Sequence, residues 1–389
     1  MPHTIKRDSY FWLIALQSSC VTFFLGAFGP SQALLRADQN TSLTVAGLHG
    51  TSMGVAAILA GYANSPLVHK FGRSRTGWIG LGIFSFGVII FVISQPVQLT
   101  ILAALFAGFG VSVVINNFVT SLTAHYGKNA AYMVTKANAI GSVSFVLGTL
   151  TVGLIADSFR DYWRMGILAL LPFALYLFFF RRDKNEVEHV PSEEGPQGGK
   201  LSMHFWISLF GFFCSIATEF AISFWAAVLI LDRTAASPAI STLVVVAFGS
   251  GMALGRWFGP PVLKKLEIDS QIKLYMTIQL LGFIALWFSH NLAISFLALL
   301  VTGIGVSSQF TLTSLRLIGL SDGRPDLSMG KSSLAAGFAI GLSPFVLGLL
   351  GDHLGISRAY LMVPVLILIS LLVIQFIPSH VEQEIELQK

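Results

Sequence analysis

Residues 211–231 read GFFCSIATEFAISFWAAVLIL, and Glu219 lies near the middle of this apolar run. A helix of about 20 apolar residues crosses a hydrocarbon layer of ~30 Å. An acid placed there is costly unless it is protonated, paired or facing a wet cavity, which marks it as a functional-site candidate. Desolvation favours the neutral acid, so Glu219 could load and release a proton. The structural alternative is a carboxyl that hydrogen-bonds a neighbouring helix and never titrates in use.

Polar residues at i, i+4 spacing share a helix face, and four apolar stretches, that of Glu219 among them, show such stripes. They are Ser112, Asn116 and Thr120; Thr135, Asn138 and Ser142; Ser215, Glu219 and Ser223; and Gln309, Thr313 and Arg316. The first stretch adds Ser18 and Thr22, with Gln17 on an adjacent face. Hydroxyls can bond their own helix backbone or join helices. Buried carboxamides have more bonds to satisfy. The candidates to hold a solute are therefore Gln17, Thr22, Asn116, Asn117, Asn138 and Gln309, with Trp225 offering an aromatic face. Arg316, Lys136 and Arg256 fall near span ends, where long side chains snorkel toward water. With no cation assigned to mid-span, a neutral or weakly basic solute is favoured over a strong anion. No HExxH, phosphate-binding loop or Gly-x-Ser-x-Gly motif is present, so neither an enzyme nor a metal or other cofactor is expected.

The elements that must position these residues are membrane helices. The 389 residues are 54% hydrophobic and only 11% charged, with a mean hydropathy of +0.74; soluble domains carry about 25% charged residues. Spans are expected at 10–35, 42–68, 76–94, 98–124, 132–156 and 163–180, then at 203–231, 237–263, 270–289, 291–318, 330–350 and 358–378. The resulting division is a six-helix bundle (1–180), a polar linker (181–202) and a second bundle with a short tail (203–389). Lys and Arg concentrate in alternate loops, which puts the linker and both termini on the cytoplasmic side of an inner (plasma) membrane. The net charge of +5 follows from that loop bias and implies no nucleic-acid partner. Cys20 and Cys214 lie within apolar spans, away from any disulfide or metal pattern.

The halves repeat. Phe11, Trp12 and Cys20 match Phe205, Trp206 and Cys214, each 194 positions on. Gly61, Pro66 and Lys70 match Gly255, Pro260 and Lys264 at the same displacement. Gly108-x-Gly110 recurs as Gly303-x-Gly305, and the ending Gly153 to Asp157 recurs as Gly348 to Asp352. By this register Leu25 stands where the second half has Glu219.

This pattern, all-α with 12 transmembrane helices in two pseudo-symmetric six-helix bundles, resembles the major facilitator superfamily. The loop His69-Lys70-Phe71-Gly72-Arg73 is similar to that family's basic-x-Gly-Arg motif, except that His69 stands where the family has an acid. In the family that acid helps latch the cytoplasmic ends of the halves. Glu219, Phe220 and Trp225 resemble the fucose-permease-related branch. The resemblance implies a monomeric secondary transporter in the lipid bilayer, moving a small organic solute by alternating access, with protons coupled through Glu219. The alternatives are a proton-driven multidrug antiporter and a non-transporting receptor or scaffold. Ala104 stands where drug antiporters have an Arg in the fourth helix, and their Gly-Pro motif in the fifth is absent here, which weighs against the first of these.

Overall fold

The computed structural model describes residues 7–180, 199–263 and 265–379. Most of the expected linker, and the Lys264 of the repeat, lie outside the described residues. Among the described residues, eleven helices are long and apolar enough to span a membrane. They are α1 (Ser9–Phe28), α2 (Leu43–Phe71), α3 (Arg73–Ile93), α4 (Val97–Tyr126), α5 (Tyr132–Ser158), α7 (Met203–Arg233), α8 (Pro238–Leu263), α9 (Ile268–Phe288), α10 (Leu292–Gly319), α11 (Leu327–Leu354) and α12 (Ile356–Phe376). A shorter apolar helix, α6 (Met165–Phe179), completes the twelve. The linker end of the molecule is where α6 stops and α7 starts; the other is the far end.

The repeat extends to the helix caps. Asp8 caps α1 by accepting from Phe11 N–H (2.9 Å), and Ser202 caps α7 by accepting from Phe205 N–H (3.2 Å). Cys20 and Cys214 are then equally far from their helix starts, and both are buried free thiols. Burial would raise the Asp8 carboxyl, but hydrogen bonds from Phe11 N–H, His125 and Tyr126 outweigh it and hold the group below its ordinary value. Ser42 and Ser237 cap α2 and α8 in the same manner.

The Gly-x-Gly motifs also act alike in both halves. A Cβ on Gly108 would strike Met53 of α2, and one on Gly110 would strike Phe84 of α3. In the second half, Gly303 and Gly305 press against Phe248 of α8 and Gln279 of α9. Two missing side chains thus let one helix approach two neighbours, the close packing that membrane interiors favour over hydrophobic sorting.

The halves meet along two seams, α2 with α11 and α5 with α8. The first runs from Leu43 at the far end to Ile58 against Gly337. Midway, Gly54 lies directly on the Gly341 backbone, and Thr51 Oγ1 donates to the Gly341 carbonyl (3.0 Å). Closer to the linker end the helices diverge: Gly61 and Gly330 have nothing within 4 Å of a Cβ position. The far end is shut by the Phe28–Phe224 ring pair (5.6 Å), by Thr242 Oγ1 donating to the Pro30 carbonyl (3.2 Å), and by Asp352.

Asp352, on α11, accepts from Leu43 N–H (2.8 Å), Thr44 N–H (2.8 Å) and Thr44 Oγ1 (2.5 Å). It caps the start of α2 across the seam, where unpaired N–H groups and the helix dipole favour an anion. Its repeat mate Asp157 is exposed and makes no described hydrogen bond. The same residue is therefore used once.

At an exposed site each such bond contributes of order 1 kcal/mol. Asp352→Ala should open the far end and speed maleimide labelling of Ala46→Cys, in a Cys20→Ser/Cys214→Ser background, on the order of tenfold. Asp157→Ala should leave labelling unchanged. Equal effects from both substitutions would show that the cross-seam cap does not hold the far end shut.

Candidate functional site

α7 carries Glu219 about midway along its length and packs along that length against α11, α12, the first part of α8 and the second part of α10. The side chain is half-buried. Among the described residues no group donates a hydrogen bond to its carboxylate, and no ion pair within 4.0 Å includes it. Its electrostatic partner is Arg256 on α8, which attracts it from beyond ion-pair contact.

Arg256 is the side chain that sequence patterning placed at the snorkelling margin. Instead it turns inward and crosses between the halves. Its Nε–H donates to the Ser307 carbonyl of α10 (2.9 Å) and its Nη1–H to Ser142 Oγ of α5 (2.7 Å). Lys136 is part-buried at the same seam, its Nζ 4.1 Å from the centre of the exposed Trp257 ring, with the Arg7 guanidinium 5.8 Å from the same ring. These cation–π contacts join α5, α8 and the segment before α1. Arg316 goes elsewhere, pairing through Nε with Asp269 Oδ1 (2.9 Å), far from Glu219 in role. The sequence signal for Arg256 was its place one residue after the repeat glycine Gly255, well inside α8.

The remaining candidates divide. Thr22 donates to the Ser18 carbonyl (3.0 Å) and borders Gly141 of α5. Asn116 and Asn138 are half-buried, with no side-chain bond described. Gln17 lines a water-sized cavity with Arg73, Asn117 and Ser121. Asn117 Nδ2 donates to Asn64 Oδ1 (3.0 Å) and to the Val113 carbonyl (2.8 Å), tying α4 to α2. Trp225 is wholly buried, its Nε1–H donating to the Pro344 carbonyl (2.8 Å), so the indole joins α7 to α11. The stripe on α7 splits as well: Ser215 donates to Gln309 Oε1 (2.6 Å), away from Glu219.

Gln309 belongs to a network that the spacing did not reveal. Its Nε2 donates to Gln279 Oε1 (2.7 Å) and to the Gly305 carbonyl (2.8 Å), while Gln279 Nε2 donates to Thr218 Oγ1 (2.9 Å). α7, α9 and α10 are joined by a satisfied chain of buried amides, and Gln279 was visible as a lone carboxamide in an apolar span.

The loop motif has a backbone explanation. Gly72 adopts φ +79°, a conformation open to glycine, and reverses the chain between α2 and α3 in a single residue. His69 is exposed, Lys70 Nζ lies 5.3 Å from the Phe71 ring, and Arg73 turns into the half, its Nε sealed without a partner.

Gln309→Leu strands the Ser215 hydroxyl and Gln279 Oε1, at about 1–3 kcal/mol for each buried group left unpaired. Melting of the detergent-solubilised protein should fall accordingly, and Gln279→Leu added to it should cost less than it does alone. Additive losses would show that the two amides do not form one network.

A model of the Major Facilitator Superfamily matches residues 14–322. No curated protein matches the sequence significantly. Among solved structures, the nucleoside transporter NupG aligns with a TM-score of 0.74 at 12% identity, covering 95% of this chain and 98% of its own. A bacterial homologue of the human lysosomal transporter Spinster, in an inward-facing and occupied conformation, gives 0.75 at 13% identity, covering 96% and 97%. The Escherichia coli fucose:proton symporter FucP gives 0.63 at 15% identity, covering 95% and 99%. At these identities the structures establish the shared fold, and the family match over most of the sequence establishes the rest: the chain belongs to the Major Facilitator Superfamily.

Proposed function

We propose that this membrane protein is a proton-coupled secondary transporter of a small organic solute, with Glu219 as the proton carrier. The observation that carries the reading is a mid-span carboxyl, part-buried and free of described hydrogen bonds, whose electrostatic partner Arg256 reaches across the boundary between the halves. A structural carboxyl would be bonded to a neighbouring helix, as Trp225 and Gln309 are. Protonation neutralises the group and lowers the cost of carrying it through a closed, drier state. The proton symport named for FucP lends support by analogy of fold.

The solute contacts assigned in this reading are Asn116 and Asn138, whose polar ends make no described bond, and Thr22, whose hydroxyl donates to its own helix and can still accept, with Gln17 at the margin. Asn117, Trp225 and Gln309 act on the site by holding its walls. The His69–Arg73 loop carries its charges at the linker end, the cytoplasmic side in this reading, with an inner-membrane location and a monomeric chain.

Glu219→Gln keeps the shape of the protonated acid. Solute-driven proton movement in proteoliposomes should be abolished, while counterflow of a solute selected by thermal stabilisation persists. Unchanged proton movement in the variant would remove Glu219 from the role. Loss of folding together with intact coupling in the surviving protein would favour the structural carboxyl.

A further inference from the structure

We propose that the solute is a small organic monoanion that binds Arg256 when Glu219 is protonated, so that anion and proton cross together with no net charge. The inference rests on the proton-carrier reading of Glu219 and replaces the neutral or basic solute suggested by sequence patterning.

That earlier preference assumed no cation within the site. Arg256 reaches inward between α5 and α8, and two more cations, part-buried Lys136 and exposed Arg7, lie at the exposed Trp257 ring one residue on. Asp8, beside Arg7, is committed to Phe11 N–H, to His125 Nε2 (2.6 Å) and to Tyr126 OH (2.9 Å). Among the described residues, Glu219 is thus the acid that answers Arg256 electrostatically.

Arg256 also differs from the two embedded arginines that have acid partners. Arg164 lies 3.8 Å from Asp38, and Arg316 lies 2.9 Å from Asp269. Arg256 has no carboxylate in contact. Its Nε and Nη1 are engaged by Ser307 and Ser142, while Nη2 makes no described bond and is not sealed in, unlike Nη2 of Arg164. An open guanidinium nitrogen and an unbonded carboxyl therefore stand across a gap.

The protonation state of Glu219 decides what fits the gap. Ionised, Glu219 balances Arg256 and repels a carboxylate. Protonated, it leaves Arg256 without a counter-charge, and its O–H can donate to one oxygen of a solute carboxylate while Nη2–H donates to the other. Charge-assisted bonds of this kind are about twice as strong as neutral ones. One negative charge on the solute and one proton on Glu219 sum to zero, so the loaded site keeps the charge of the empty, ionised one. Other charged groups on the helices packed against α7 and α8 are occupied or distant. Lys331 lies over the Trp206 ring, Asp352 caps α2, Arg316 is paired, and Asp157 is at the far end.

The test is equilibrium binding by the purified full-length chain in detergent, which needs no transport. Melting is followed with benzoate, nicotinate and lactate, and with the uncharged benzamide, nicotinamide and lactamide, in weakly acidic and weakly alkaline buffer. The acids should raise the melting temperature, more so in the acidic buffer, and the amides should not. Arg256→Gln should abolish the shift, Arg256→Lys should retain part of it, and Glu219→Gln should keep it in both buffers. Amides as effective as acids, no acid effect on the wild type, or an undiminished shift in Arg256→Gln would each overturn the proposal. The wild-type comparison decides even if Arg256→Gln does not fold. Acids that bind as expected, in a protein whose proton movement survives Glu219→Gln, would instead sink the proton-carrier reading alone.

Discussion

A charge in hydrocarbon is stable only beside a counter-charge, a dense set of hydrogen bonds or water, and the polar architecture of this chain follows from that cost. Arg164 is held by Asp38 and by the Ser94 carbonyl, and it lies over the Phe91 and Trp163 rings. Arg316 is held by Asp269 and the Ile377 carbonyl. Both pairs sit near helix ends, where the surroundings are partly polar and one fixed arrangement suffices. Glu219 and Arg256 are deeper and do not touch. Their separation leaves the counter-charge to be supplied by a proton or by a solute, which is the physical difference between a brace and a site that changes occupancy.

The same cost acts on uncharged groups. With no water to accept them, the amides of Gln279 and Gln309, the indole N–H of Trp225 and the hydroxyl of Ser343 are bonded inside the protein. Most of these bonds run within the second half and stiffen it as a body. Few of the described bonds cross between the halves: Asp352 to α2, Thr51 to Gly341, Thr242 to Pro30 and Arg256 to Ser142. Rigid halves with a sparsely bonded boundary can rock against each other at small cost. The glycines of α2 and α11 allow a close far-end seam without interlocking side chains.

Symmetry in sequence and symmetry in use are separate matters. The helix caps at Asp8 and Ser202 and the Gly-x-Gly packing are equivalent in both halves because they depend on local contacts that each half repeats. Asp157 and Asp352 occupy matching positions, yet only Asp352 meets a helix start across the boundary. Leu25 and Glu219 likewise share a position and differ in chemistry. Each half thus supplies the same frame, and the boundary between them makes the two unequal.

Much was determined by the sequence alone, for a clear physical reason. Hydrocarbon thickness sets span length, so twelve apolar runs could be counted, with α6 shorter than expected. Repeat spacing fixes which helices correspond, and a lone mid-span acid stands out against an apolar background. The tertiary structure decided where each polar side chain points, which depends on helix rotation and on neighbours distant in the chain. Periodicity put Ser215 on the face of Glu219, yet it turns to Gln309 of α10; Trp225 reads as an open aromatic face, yet it is bonded to Pro344 of α11. Arg256 shows the limit most sharply. Its distance from a span end suggests snorkelling, but the hydroxyl of Ser142, more than a hundred residues earlier, draws it inward to face Glu219.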